Sequence, residues 1–114
     1  MPWILAALMF VHGLIHLVGA LPTLGPAAVP GMSGRTLVPL GDGVRFAGGI
    51  AWLVALALFV VAAWALVPHA VWWRPLAVAA VIVSQAVIVV WWPDARWGTV
   101  ANAPVAAGCL LVRA

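Results

Sequence analysis

Charge is the scarcest property of this 114-residue sequence: Asp and Glu together number 2, Lys and Arg 5, and charged residues make up 6% of the chain. Soluble domains carry about 25% charged and about 45–50% apolar residues. Here 68% are hydrophobic, so a water-dissolved globule is excluded. Lysine is absent, and five arginines supply the fixed positive charge. The formal net charge of +3 therefore describes a few arginines at membrane edges rather than a nucleic-acid-binding face. A single cysteine, Cys109, rules out an intrachain disulfide and, lying in an apolar run, says little about redox compartment. Motifs of soluble chemistry are missing too. There is no P-loop, dinucleotide fingerprint, H-E-x-x-H or G-x-S-x-G, and Ser84 neighbours only apolar residues and Gln85, with no acid to orient a catalytic histidine.

What is present is apolar length. A bilayer core of about 30 Å takes about 20 apolar residues per helix, which gives this chain room for about four crossings and one long loop. The sequence predicts an all-α, integral membrane four-helix bundle forming one transmembrane domain over residues 1–114, with helices at about 3–21, 46–67, 75–92 and 97–112. The first run ends at Pro22, where a helix is expected to stop. Val18-Gly19-Ala20 resembles a signal-peptidase site, but Met1-Pro2-Trp3 carries no positive charge, so the run is read as a retained helix. From Pro22 to Gly43, repeated Pro and Gly break any regular pattern, and this is the predicted loop. Its apolar Val29, Met32, Leu37, Val38 and Leu40 place it on the membrane surface or on a partner. Pro68 closes the second span, which is interrupted by no charged residue and is expected to face lipid or a partner over much of its surface. Trp72-Trp73-Arg74 marks a headgroup interface, where His69 is read as a headgroup-level polar residue, and Pro75 suits a first helical turn. Trp73 and Trp91 stand about 27 Å apart along a helix, so the two tryptophan pairs are expected at opposite faces of the bilayer. The fourth span is short and contains Pro104.

Polar residues inside a membrane must find a partner or face a cavity, so function is sought there. His12 and His16 share one face of the first helix, and Gly13 and Gly19 allow a neighbouring helix to approach. Ser84 and Gln85 are the clearly polar residues of the third span; Thr99 and Asn102 share a face of the fourth. Counting depth from the hairpin end predicts one polar cluster of His12, His16, Gln85, Thr99 and Asn102, with Asp94 and Arg96 at its mouth as an interfacial pair capping the turn or as a polar gate. Two histidines at i and i+4 can reach one Zn or Cu ion, with Asp94 as a possible third ligand. They cannot take opposite axial positions on one haem, so a bis-histidine haem needs a second chain.

The stretches His12-Gly13-Leu14-Ile15-His16 and Asp94-Ala95-Arg96-Trp97-Gly98-Thr99-Val100-Ala101-Asn102 resemble a group of short, four-span bacterial membrane proteins, distantly similar to DoxX-like proteins. The resemblance implies no particular activity. It implies that His12, His16, Asp94, Gly98, Thr99 and Asn102 belong together. The arginine-only usage, with abundant Ala, Val and Trp, likewise points to a GC-rich bacterial genome, and hence to a multi-pass protein of the cytoplasmic membrane. Two function classes remain open. One is a non-enzymatic accessory or stabilising subunit of a larger membrane complex, partnered by lipid and other membrane subunits and not by nucleic acid. The other is a small protein that places a metal, haem or quinone against His12 and His16.

Overall fold

The computed structural model describes residues 2–24 and 32–113, and their order is α1 (Pro2–Leu24), α2 (Asp42–Leu66), α3 (Trp73–Val90), the single turn α4 (Trp92–Ala95) and α5 (Gly98–Leu111). Three of these helices, α1, α2 and α3, are long and apolar enough to cross a membrane. The 14 residues of α5 reach only about 21 Å, short of a bilayer core. The predicted fourth span from 97 thus starts one residue later and ends at Leu111, while the third ends at Val90 rather than 92, because Trp91 leaves helical geometry at φ −97°, ψ 33° and the chain restarts as α4 on Pro93.

Pro22 does not end the first helix as expected. Proline at this position removes one N–H, the one that would reach the Val18 carbonyl, and the next turn is secured by the Thr23 hydroxyl donating to the Gly19 and Ala20 carbonyls at 3.2 and 2.9 Å. Helix α1 therefore runs on to Leu24, and α2 begins at Asp42, four residues ahead of its predicted start. The predicted loop shrinks accordingly. Its residues 32–41 form no helix, and its Val29 lies outside the described residues.

The turn from α2 to α3 closes with two backbone bonds, His69 N–H to the Leu66 carbonyl at 2.9 Å and Ala70 N–H to the Ala65 carbonyl at 3.0 Å. That pattern requires a left-handed residue between them, and His69 supplies it at φ 58°. His69 accordingly serves the backbone of the turn.

Helix α2 packs on both α1 and α3, and α5 packs on α3 and α1. Helix α2 buries a stripe of Trp52, Ala55, Phe59, Ala62, Ala63, Ala65 and Leu66 against its neighbours, while Val44, Phe46, Ile50, Val54, Val61 and Trp64 along it are exposed. Small alanines let α2 sit close to its neighbours. Gly13 does the same from α1: a β-carbon there would stand 2.9 Å from Phe59 Cβ and 3.4 Å from the Leu56 carbonyl oxygen. The buried side chains form two apolar clusters. One surrounds Met9, Phe59, Leu66, Trp73, Ala77 and Val105 toward the chain termini; the other joins Ala20, Trp52, Val87, Ile88 and Trp91 at the opposite, hairpin end. Of each predicted tryptophan pair one ring is core, Trp73 and Trp91, and the other, Trp72 and Trp92, is outward.

Candidate functional site

Between the two apolar clusters lies a polar layer built from three helices, and its four central side chains, His12, His16, Ser84 and Asn102, are all buried. His12 Nε2 meets Asn102 Oδ1 at 2.8 Å, His16 Nδ1 meets the His12 carbonyl at 2.8 Å, and His16 Nε2 meets Ser84 Oγ at 2.7 Å. Asn102 Nδ2 donates to Ser84 Oγ at 3.0 Å and to Gln85 Oε1 at 3.1 Å, while Gln85 Nε2 donates to Thr99 Oγ1 at 3.0 Å.

With neutral rings, these partners fix the tautomers. A carbonyl can only accept, so His16 carries its proton on Nδ1, and its Nε2 accepts the Ser84 hydroxyl proton. His12, facing the amide oxygen of Asn102, is protonated on Nε2. Its Nδ1 keeps a lone pair with no partner among the described residues. Both nitrogens of His16 are thus engaged. A metal ion held jointly by the two rings would have to displace the Ser84 bond or the His12 carbonyl bond. Among the described residues no group of three or more His, Cys, Asp or Glu side chains converges.

Aromatic rings from α2 wall this layer. Phe59 lies 4.9 Å from the His12 ring and 5.3 Å from the His16 ring, and Trp52 lies 5.4 Å from His16 and 6.0 Å from Trp91, centre to centre. Gly19 accommodates Trp52, since a β-carbon there would stand 2.6 Å from the indole Cδ2. Trp52 is 5% exposed, and its Nε1–H is the buried side-chain polar group left without a partner among the described residues.

Beside these rings opens a cavity of about 190 Å³, bordered by His12, His16, Trp52, Ile88, Gly98, Met32, Asp94 and Trp97. Asp94 does not pair with Arg96, nor does it cap a helix, as the sequence suggested. Its Oδ1 accepts the Ser33 amide and hydroxyl at 2.9 and 2.8 Å, and its Oδ2 accepts the Gly34 amide at 2.7 Å. Arg96 instead lies over the Trp97 ring at 5.8 Å. Loop backbone with unmet N–H groups is a stronger claimant on a carboxylate than an arginine free to reach water. Arg45 supports the same segment by donating to the Gly34 carbonyl at 2.9 Å, and Leu37 N–H donates to the Val90 carbonyl at 2.9 Å. The loop is thereby strapped across the hairpin end. Partial burial pushes the Asp94 carboxyl up, but the Ser33 amide and hydroxyl, the Gly34 amide and the Arg35 charge together hold it below the ordinary carboxylate value.

No family model, curated protein or solved structure matches this chain. The site is therefore read from its own geometry.

The structure brings His12, His16, Gln85, Thr99 and Asn102 into one connected network, and it places Asp94, but not Arg96, on the cavity they border. Ser84 belongs to that network as well; its polarity was visible in an otherwise apolar run, but it was not included in the expected cluster. Trp52 was passed over because an indole in an apolar helix reads as hydrophobic, although it carries a donor. Ser33 and Gly34 offered no signal, since small residues in a loop are ordinary turn formers.

Proposed function

We propose that this chain is a small multi-pass membrane protein, of a bacterial cytoplasmic membrane, that binds a small organic molecule in the cavity beside His12, His16 and Trp52. One observation carries the reading. The cavity adjoins a polar layer in which His12 Nδ1 keeps a lone pair, and it is bordered by the buried Trp52, whose donor has no partner among the described residues. A buried polar group without a partner costs about 1–3 kcal/mol, so such groups are rare unless a ligand or ion completes them. An organic ligand suits the lining better than a metal, because both His16 nitrogens are already engaged. Haem does not suit it: about 190 Å³ is below the roughly 300–1,000 Å³ of pockets that enclose drug-sized molecules.

The test is extraction of the chain in mild detergent, followed by mass spectrometry of the bound small molecules. The comparison is Ala95→Phe, which puts a ring into the cavity wall. We expect a molecule in near-stoichiometric amount with the native chain and its loss from the variant, both retaining the same helical circular dichroism. Equal small-molecule content in the two would overturn the reading.

A second role as an accessory subunit is favoured by α5. That helix is shorter than a bilayer core and exposes Val100, Leu110 and Leu111, and a neighbouring subunit would complete the apolar thickness there. Native mass spectrometry in the same detergent decides it, with release as a lone monomer counting against it.

A further inference from the structure

We propose that the molecule taken by this cavity is a neutral phenol, held by its hydroxyl donating to His12 Nδ1. This inference rests on the binding role proposed above and names the ligand class. Every proton in the polar layer follows from one backbone carbonyl. The His12 carbonyl takes the Nδ1 proton of His16, so His16 Nε2 has only a lone pair and takes the single hydroxyl proton of Ser84. With that proton committed, Ser84 Oγ must accept from Asn102 at 3.0 Å, which makes the donating amide atom Nδ2 and turns Oδ1 toward His12. Facing an oxygen, His12 Nε2 bears the ring proton, and Nδ1 is left bare.

Two observations put that lone pair on the cavity. Among the described residues, Trp52 Nε1 is the fully covered side-chain polar atom without a partner, so His12 Nδ1, which also has none, keeps an uncovered face. Gly98, on the same lining, leaves this corner of the ring open: a β-carbon there would stand 3.9 Å from His12 Cε1, the ring atom bonded to Nδ1. The rest of the wall decides the class. Of the buried side chains on the lining, His16 has both nitrogens engaged and Trp52 has its N–H covered, so the inner wall presents an acceptor and no side-chain donor. A ligand here needs a strong donor whose own oxygen asks for little in return. A phenol meets this, because its oxygen lone pair is drawn into the ring, whereas an amide or carboxylic acid brings a carbonyl that the wall leaves unmet. Ile15, Val18, Ile88 and Trp52 on the lining suit an aromatic body, and Asp94, its one charged side chain, repels the phenolate.

The reporter is the Nδ1 resonance of His12 in ¹⁵N-histidine-labelled protein, assigned through the ring carbons of the native chain. The protein is held in nanodiscs of phosphatidylcholine, a lipid without O–H or N–H, and titrated with phenol and separately with anisole, which has the same ring and oxygen but no donor. A bare imidazole nitrogen moves upfield on accepting a hydrogen bond. We expect phenol to shift His12 Nδ1 upfield and saturably, anisole to leave it in place, and His16 Nε2 to stay unmoved by either. Equal shifts of the Gly98 and Trp97 amides with both compounds, while His12 Nδ1 stays still, would overturn the donor requirement and leave the cavity a binding site. An Nδ1 already at its hydrogen-bonded position in untreated discs, and unmoved by phenol, would assign the acceptor to water and overturn the proposal. If neither compound moves Nδ1 or those amides, the phenol is overturned, and the mass spectrometry of the native extract decides separately whether the binding role stands.

Discussion

At the end of the bundle that bears the chain termini, Trp73 is wholly buried among Leu66, Ala77, Val105 and Cys109; at the hairpin end, Trp52 is almost as deeply buried, yet it borders a cavity. Each is a tryptophan at a helix contact. The difference lies in what surrounds them. Trp73 belongs to a cluster in which small side chains such as Ala62, Ala65, Ala77 and Ala80 stand beside the larger ones, and Arg74 next to it ties down α5 by donating to the Cys109 and Val112 carbonyls at 2.7 and 2.5 Å. The Cys109 carbonyl lies in the last turn of α5 and the Val112 carbonyl just past its end, so the arginine seals the end both electrostatically and by hydrogen bonding. Around Trp52 the partners are other large rings, Trp91 and His16, which meet at tilted angles and leave space between them. Small residues close an interface; several large flat ones in a row hold it open.

The largest effect that probes this contrast is truncation of the two tryptophans. Trp73→Ala removes a ring from a site with no room to collapse further and should cost about 3–5 kcal/mol. Trp52→Ala removes a ring that already borders empty space and takes an unpartnered donor with it, so its cost should be clearly smaller. Unfolding monitored by circular dichroism in mixed micelles, with a titrated denaturing detergent, measures both. Equal losses would break the distinction between a sealed end and an open one.

The sealed end was largely legible in the sequence. Apolar runs of bilayer length announced the long helices, because a backbone in an apolar surrounding has little choice but to pair internally. The boundaries were less legible. Pro22 was read as a stop, but its missing N–H falls in the last turn, where Thr23 compensates. The polar layer could be approached by counting residues from one interface, since depth along a helix follows from its rise. What residue counting could not supply was rotation about each helix axis. That rotation decides that α2 turns Trp52 and Phe59 onto the histidines, and it depends on packing of near-uniform apolar faces that carry no periodic signal. The Asp94 contact was beyond reach for another reason, as its partners are backbone amides, which every loop residue has.

An intermediate effect tests whether the polar layer joins the two ends or merely separates them. Asn102 bonds His12, Ser84 and Gln85 at once, and Asn102→Ala strands His12 Nε2 and Gln85 Oε1 and takes one donor from Ser84, which keeps its bond to His16. Hydrogen bonds between membrane helices average about 0.6 kcal/mol, and the loss of this hub should cost about 1–2 kcal/mol. The variant should also free the His12 ring, which would show as altered ¹⁵N shifts of its Nε2. A cost confined to a few tenths, with His12 unmoved, would mean that Phe59 and Gly13 packing alone holds the layer.

The smallest effect belongs to the strap over the open end, and its sign follows from the Asp94 carboxyl being held below its ordinary value in the folded protein. A depressed folded value means that the strap contributes fully at every pH above the unfolded carboxyl value, about 3.9, and loses that contribution only as pH falls through the lower folded value. Between pH 8 and 5 the Ser33 and Gly34 amides should therefore keep constant NMR shifts and constant protection from hydrogen exchange. Below about pH 4 both should move together toward exchange-labile positions, with the helical spectrum unchanged. Asp94→Asn keeps the shape but weakens the acceptor, so it should show reduced protection at neutral pH and no acid transition. At the sealed end the partners of Arg74 among the described residues are the Cys109 and Val112 carbonyls, with no carboxylate side chain, and α5 should pass through the same pH range unaltered. An acid transition appearing at the Arg74 contact, or one at Ser33 and Gly34 that survives Asp94→Asn, would show that a different group holds the loop in place.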